Sequence, residues 1–221
     1  MMTKITDAIV DLATVASAIG VIVLATLIVR RPPGPGPAEA REDREIPQWG
    51  EYLGAGHRIG GPAPVLTLLE FGDYECPWCR RLQPALDEFL AANPVEVALV
   101  YRHWPLSQHQ YAYDAARAAE CAGEQGRFWE FHRRLYSDAR WINNAFAKFA
   151  VEVGVSDRAA FEECVSSEEK VPAIEADIDL ATRIDGGGTP TIIANGRLQG
   201  EIPLTVEDLM ALLEEARSQV R

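Results

Sequence analysis

The sequence predicts an α/β fold in which a strand–helix–strand unit is separated from a later hairpin by a long helical region. An apolar run rich in strand formers, residues 65–69, precedes a helix-like pattern with spacings of three and four. A second strand is predicted at 95–101, and a strand, a helix and a parallel strand form a right-handed βαβ unit. Asn195–Gly196 predicts the turn of a β-hairpin, because both residues tolerate the positive φ angles that a tight turn needs.

Helical patterns fill most of the chain between these two halves, from about residue 108 to 185. An alanine-rich segment ends near Gly123, and an apolar stripe follows it. Ser156 is predicted to be the N-cap of a further helix. Beyond the hairpin, Thr205 and Asp208 are predicted to cap a last helix, which turns its leucines toward the core.

Length and charge limit the class of protein. A chain of 221 residues has room for one domain and an appendage. The formal net charge of −12 argues against nucleic-acid binding, because phosphate neutralisation requires clustered Lys and Arg. No dimerisation module is recognisable, so we expect a monomer. Four cysteines suit an oxidising compartment without proving one.

An uncharged run at residues 12–29 is about the minimum length for a membrane-spanning helix. We expect residues 1–30 to be an uncleaved N-terminal transmembrane anchor; a cleaved signal peptide and a buried core helix are the alternatives. Arg30 and Arg31 would favour a cytoplasmic carboxyl side, but large domains translocate largely regardless of such charges.

Residues 31–56 are predicted to be a linker, rich in Pro and Gly at first and then charged, which holds the domain away from the bilayer. The domain itself is predicted at 57–221. Trp49, Tyr52 and Leu53 are expected to begin a segment that packs on it.

The residues Cys76-Pro77-Trp78-Cys79 lie at the predicted strand-to-helix junction. At a helix amino terminus, free N–H groups and the macrodipole stabilise a thiolate, so we expect a lowered pKa for Cys76. Cys79 follows one turn later and is expected to be the buried resolving cysteine of thiol–disulfide exchange. A zinc site would need four ligands and is disfavoured, whereas a Cu(I) site needs only two thiolates and stays an alternative. We therefore expect no metal and no cofactor.

Two further features of the sequence indicate a resemblance to a known protein family. Glu70 precedes Cys76 by six residues, and Thr189-Pro190 follows a glycine run far downstream. With the Cys-x-x-Cys motif, the pattern resembles the thioredoxin fold over about residues 57–220, and more closely the DsbA-like thiol:disulfide oxidoreductases. The resemblance implies a thioredoxin-like core with a helical insertion, at about 108–185, between the βαβ half and the carboxyl-terminal ββα half.

The resemblance also implies roles for individual residues. Glu70 is expected to be a buried acid beneath the cysteines, with a raised pKa and a part in proton transfer to or from Cys79; a strand position that faces solvent is the alternative. Pro190 is expected to be cis, leaving the Thr189 main chain open to an extended substrate. Trp78 stands where strongly oxidising relatives often carry His. Because an indole supplies no cation, we expect a less oxidising couple than theirs.

The remaining cysteines, Cys121 and Cys164, lie on apolar sides of predicted helices. Two buried free thiols would be the ordinary interpretation in the cytosol. Outside it, and by resemblance to family members with such a pair, a structural disulfide between the insertion helices is expected.

The histidines His57, His103, His109 and His132 are scattered through the sequence, so packing or surface roles are expected for them. Tyr74 and Trp104 are predicted to contribute to an apolar rim that holds client chains.

The resemblance implies an exported enzyme that exchanges disulfides with the free thiols of client proteins, in the oxidising direction. It implies reoxidation by a quinone-linked membrane oxidase of the DsbB or vitamin K epoxide reductase-like kind. The domain would face the periplasm or the cell exterior. A reductase or isomerase using the same cysteines, and a Cu(I)-binding module, are the alternatives.

Overall fold

A computed structural model describes residues 42–138 and 145–220 of the chain. The predicted membrane anchor, residues 1–30, and the linker as far as residue 41 lie outside the described residues. Within the described ranges, no helix has both the length and the apolar character that crossing a bilayer requires.

The described strands form one six-stranded sheet. They are β1 (Arg44–Glu45), β2 (His57–Gly60), β3 (Leu66–Gly72), β4 (Val97–His103), β5 (Thr191–Ala194) and β6 (Arg197–Leu198). Their order across the sheet is β1-β6-β5-β3-β4-β2. The pair β3–β4 is parallel and the other neighbours are antiparallel. The predicted βαβ unit and the predicted hairpin are therefore both present, with β3 at the centre.

The helices follow the predicted plan. They are α1 (Pro77–Ala92), α2 (Ala112–Gly123), α3 (Phe128–Ser137), α4 (Phe146–Glu152), α5 (Arg158–Ser166), α6 (Pro172–Ile184) and α7 (Val206–Val220), with a 3-10 helix at Trp49–Leu53. The helical insertion, α2 to α6, lies between β4 and β5. This is the arrangement that the sequence predicted for a thioredoxin-like core.

Alternation along β3 distributes its side chains between two apolar layers, because successive residues of a strand point to opposite faces. Leu66 and Leu68 pack with α1 and α7 on one face. Leu69 and Phe71 pack with α6 on the other face. Glu70 has the same parity as Leu66 and Leu68, so it lies on the face covered by α1, the helix that carries the cysteines.

The packed domain begins earlier than the predicted boundary at residue 57. Strand β1 pairs with β6, and Ile46 is buried in the same layer as Phe71. Trp49, Tyr52 and Leu53 pack against that layer, as expected. The carboxyl-terminal part of the predicted linker is therefore part of the folded domain, because its apolar residues cover one face of the sheet.

Two details differ from the sequence prediction. Strand β4 ends at His103, two residues beyond the predicted end, because its pairing with β3 continues to Gly72. The N-cap of α5 is Asp157 rather than Ser156, and its carboxylate accepts a hydrogen bond from Ala160 N. Ser and Asp are both favourable N-cap residues, so the sequence alone did not show which of these two adjacent residues caps the helix.

Candidate active site

Cys76 is the N-cap residue of α1, and Pro77 is the first residue of the helix. Pro has no N–H group, and the first N–H groups of a helix have no intrahelical partner, so proline costs nothing at this position. Pro77 is exposed and Trp78 is half-buried, whereas Cys76 is 4% exposed and Cys79 is fully buried. Cys76 is thus the more accessible of the two thiols, as predicted.

The surroundings of Cys76 favour its thiolate. A hydrogen bond with the side chain of Cys79 is the main cause that lowers the pKa of Cys76 from 9.0 to about 6. The N–H groups of Trp78 and Cys79 lower it further, while burial acts in the opposite direction. With this pKa, the thiolate predominates at pH 7.

Cys79 has the opposite electrostatic environment. Burial raises its pKa well above 9.0, and the charges of Cys76 and Glu70 act in the same direction. Two thiols one turn apart therefore differ widely in acidity. In thiol–disulfide exchange, the acidic thiol serves as nucleophile and good leaving group, and the other keeps its proton.

Glu70 is fully buried in the central strand, between Tyr101 of β4 and Ile192 of β5. Burial raises its pKa from 4.5 to about 8, and the charges of Asp87 and Cys76 add to the effect. Neither carboxyl oxygen has a hydrogen-bond partner among the described residues. A carboxyl group of this pKa can gain or lose a proton near neutral pH.

Thr189 and Pro190 lie next to the cysteine pair, although they are far from it in sequence. The Thr189–Pro190 peptide bond is cis, as expected. The thiol of Cys76 donates a hydrogen bond to the Thr189 carbonyl oxygen, at 3.1 Å. The structure therefore brings the helix start and the segment before β5 together at one sulfur atom.

Asp73, which the sequence analysis missed, holds the loop between β3 and α1. Its buried carboxylate accepts hydrogen bonds from Glu75 N at 2.7 Å and Leu106 N at 2.8 Å. His109 Nδ1 lies 2.7 Å from the same carboxylate. A cysteine loop tied in this way to the β4–α2 connection keeps Cys76 at a fixed position. The only sequence signal was an Asp within a turn before a helix.

The residues after the motif also position it. Arg80 donates hydrogen bonds to the carbonyl oxygens of Tyr136 at 2.9 Å and Tyr74 at 3.1 Å, which ties α1 to the end of α3. The guanidinium of Arg81 lies 5.6 Å from the ring centroid of Trp78. Trp78 itself supplies no charge, but the cation of Arg81, just beyond the motif, stacks on its ring.

The predicted apolar rim is wrong for Tyr74. This residue is 1% exposed, and its hydroxyl lies 3.0 Å from His132 Nδ1 within a buried aromatic cluster. Trp104 is half-buried. A tyrosine next to a cysteine motif could face either way, and its hydrogen bond to a buried histidine was not visible in the sequence.

Cys121 and Cys164 form the expected disulfide, which links α2 to α5. Among the described residues, Cys76 and Cys79 are the free cysteines. The two pairs are thus separate: one lies at the start of α1 and the other lies within the helical insertion. A cavity of about 720 Å³ also lies in the insertion, and none of its described lining residues belongs to the cysteine motif.

The histidines are less scattered than the sequence suggested. Nε2 of His57 and Nε2 of His103 both approach Oε1 of Glu120, at 2.7 and 2.8 Å. These three side chains form a possible metal-binding group, which the sequence analysis did not anticipate. The thiols of Cys76 and Cys79, which the sequence analysis considered for Cu(I), lie in a different part of the described structure.

The family described as thioredoxin (Thioredoxin_4) matches residues 53–215, nearly three quarters of the chain. The chain belongs to the thioredoxin family. A thioredoxin-like oxidoreductase from Silicibacter pomeroyi DSS-3 is 29% identical and superposes with a TM-score of 0.61 over 75% of this chain and 94% of that one. DsbA2 of Pseudomonas aeruginosa is 27% identical, with a TM-score of 0.57 over 76% of this chain and 96% of that one. Within the family, this protein is a DsbA-like member.

Curated relatives extend the comparison to longer proteins. The Na(+)/H(+) antiporter NhaA 1 of Mycolicibacterium gilvum (strain PYR-GCK) is 36% identical over 167 residues, which cover 73% of this chain and 26% of that protein. The thioredoxin-family chain thus spans about a quarter of the length of the curated relatives it matches.

Proposed function

We propose that this protein is an extracytoplasmic thiol:disulfide oxidoreductase that oxidises client thiols through Cys76 and Cys79. The observation that carries the proposal is the divergence of the two thiol pKa values, which leaves Cys76 acidic and Cys79 protonated. A disulfide whose accessible sulfur is the better leaving group passes readily to a client.

The exchange proceeds in two steps. A client thiolate attacks Sγ of Cys76, the Cys76–Cys79 bond breaks, and Cys79 leaves as a thiolate. That thiolate lies in apolar surroundings that disfavour its charge, so it takes up a proton. Glu70, with a pKa near 8 and no hydrogen bond to another described residue, is the proposed proton donor.

In the second step, another client thiolate attacks the client sulfur of the mixed disulfide. Cys76 leaves as a thiolate, which its lowered pKa stabilises at neutral pH. Two electrons pass from the client to the cysteine pair, and the client gains one disulfide. An extended client segment would lie against Thr189, whose carbonyl oxygen already contacts the Cys76 sulfur.

The placement of the domain outside the cytoplasm is part of the proposal. The Cys121–Cys164 disulfide supports it, because such bonds persist in oxidising compartments. The uncharged run at residues 12–29 supports a membrane anchor. Reoxidation is then assigned to a quinone-linked membrane oxidase.

The test is oxidation of a reduced, unfolded client such as ribonuclease A by the oxidised protein. One client disulfide should form for each Cys76–Cys79 pair reduced, and the Cys76→Ser variant should form none. When the client is instead supplied with its disulfides intact, the Cys76 thiolate of the Cys79→Ser variant should attack one of them and remain in a mixed disulfide, because the resolving thiol is missing. If the Cys76→Ser variant formed as many client disulfides as the wild type, the proposal would be overturned.

The reduction potential of the Cys76–Cys79 pair tests whether the protein oxidises or reduces its clients. We expect a value between about −120 mV, the strongly oxidising limit, and about −270 mV, that of thioredoxin. A Trp78→His variant, which adds a cation next to Cys76, should move the potential toward the oxidising limit. A wild-type value at or below about −270 mV would assign the domain to the reductases instead.

A further inference from the structure

Strand register brings two histidines together at the edge of the sheet. His57 of β2 is paired with Tyr101 of β4, so His103 lies two residues further along β4 on the same face. Diagonal neighbours of this kind are within reach of long or aromatic side chains. Their ring centroids are 6.1 Å apart, and α2 places Glu120 at both imidazoles.

We propose that His57, His103 and Glu120 form a binding site for a divalent transition metal, with Zn²⁺ the best-fitting ion. Two imidazole nitrogens and one carboxylate oxygen are a ligand set that zinc accepts, with water in the fourth position. The three donor atoms all lie within 4.8 Å of one another. Each comes from a different regular element, which fixes its position independently.

The carboxylate lies closer to each imidazole than two ligands of one zinc ion lie to each other. The two Nε2–Oε1 distances, 2.7 and 2.8 Å, are hydrogen-bond distances. In tetrahedral zinc, bonds of about 2.0–2.1 Å place neighbouring ligand atoms about 3.4 Å apart. The carboxylate therefore has to move outward by about 0.6–0.7 Å from each imidazole, within the freedom of a glutamate side chain on a helix surface.

The surroundings suit a bound cation that is reachable from one side. The His103 side chain is fully buried, while those of Glu120 and His57 are 18% and 27% exposed. The Phe128 ring stacks on His57 at a centroid distance of 3.3 Å and limits rotation of the imidazole.

A metal at this site would tie the sheet edge to the helical insertion, because β2 and β4 supply the histidines and α2 supplies the carboxylate. The site contains no residue of the thiol exchange described above. Its loss and the loss of redox activity can therefore be observed separately.

The experiment is Zn²⁺ binding to untagged full-length protein in which Cys76→Ser and Cys79→Ser remove competing thiols. Competition with a chromophoric chelator at pH 7 should give one Zn²⁺ per chain, and millimolar Mg²⁺ should not displace it. His57→Gln and Glu120→Gln should each weaken binding more than about a hundredfold, beyond the cost of losing an outer-shell partner. X-ray absorption at the zinc edge should show only nitrogen and oxygen neighbours.

The matched control is His109→Gln, which breaks a histidine–carboxylate contact of equal length at Asp73 and should leave zinc affinity unchanged. Circular dichroism verifies that each variant is folded; His57 is partly exposed, so its replacement by Gln avoids a buried defect. Absence of binding, or binding that survives both His57→Gln and Glu120→Gln, would overturn the proposal and leave a hydrogen-bonded cluster only.

Discussion

The sulfur of Cys76 lies 3.1 Å from the carbonyl oxygen of Thr189, across 113 residues of sequence. The contact joins the start of α1 to the segment that enters β5. A protonated Cys76 donates to this carbonyl, and a thiolate cannot. Ionisation of the nucleophile therefore frees the Thr189 main chain for other donors at the moment when the sulfur becomes reactive.

The acidity of Cys76 should depend on its partner cysteine. We expect Cys79→Ala to raise the pKa of Cys76 toward the ordinary thiol range, because the side-chain hydrogen bond from Cys79 is the main cause of the lowered value of about 6. Cys79→Ser retains a donor and should give an intermediate pKa. The rate of alkylation against pH measures this, since Cys121 and Cys164 are protected in their disulfide. An unchanged pKa in Cys79→Ala would assign the effect to the helix terminus instead.

Glu70 should make the stability of the reduced protein depend on pH. Its pKa is about 8 in the folded protein and about 4.3 in an unfolded chain, so between these values the folded state binds more protons. The contribution of this carboxyl group to the free energy of unfolding is complete below pH 4.3 and is lost as the pH rises through 8. The full shift corresponds to on the order of 5 kcal/mol.

Glu70→Gln removes this titration. The variant should match the wild type near pH 4 and exceed its free energy of unfolding by several kcal/mol above pH 8, measured by chemical denaturation under reducing conditions. Glu88→Gln removes one exposed carboxylate from α1 and serves as the control. Parallel curves for Glu70→Gln and wild type would show that folding does not raise the pKa of Glu70.

The cysteine site was predictable because its chemistry is local. A strand, a helix start and two thiols one turn apart are adjacent in sequence, so Cys76 and Cys79 could be assigned from spacing alone. Glu70 and Pro190 needed the family resemblance, since nothing local shows that they meet the cysteines. In the structure, Glu70 is buried and the Thr189–Pro190 peptide bond is cis, and their roles in the exchange stay predictions.

The histidine cluster was missed for a different reason. Strand β2 has only four residues and is half exposed, so it has no apolar pattern that would indicate a strand. Without that strand, the register that aligns His57 with His103 does not exist. Asp177 could not be singled out from the sequence for the same reason. It lies among other acidic residues of α6, yet it is buried and paired with Arg102. Long-range pairing of polar residues is decided by tertiary packing.

The Cys121–Cys164 disulfide should stabilise the helical insertion substantially. The bond closes a loop with a sequence separation of 43, for which the chain-entropy relation gives about 4 kcal/mol. We expect Cys121→Ala with Cys164→Ala to lower the free energy of unfolding by about this amount, measured by guanidinium denaturation. The pair Cys76→Ala and Cys79→Ala is the control for thiol removal. A loss below about 1 kcal/mol would mean that the unfolded chain is already compact in this region.

Arg80 should stabilise the site more than its neighbour Arg81 does. Arg80 is half-buried and donates to main-chain carbonyls of Tyr74 and Tyr136, whereas exposed Arg81 stacks on Trp78. Removing a charged donor leaves partly buried carbonyls unsatisfied, so Arg80→Met should cost about 2 kcal/mol. Arg81→Met should cost at most about 1 kcal/mol, the value of an exposed cation–π contact.

Arg80→Lys separates charge from geometry, because lysine keeps the cation but cannot reach two carbonyl groups with one planar fork. We expect it to recover less than half of the Arg80→Met loss in urea denaturation. The same variant should alkylate faster at Cys76 if the loop that Arg80 holds through Tyr74 becomes mobile. Full recovery of stability by lysine would show that charge at the end of α3, rather than the bracing of the cysteine loop, is what Arg80 supplies.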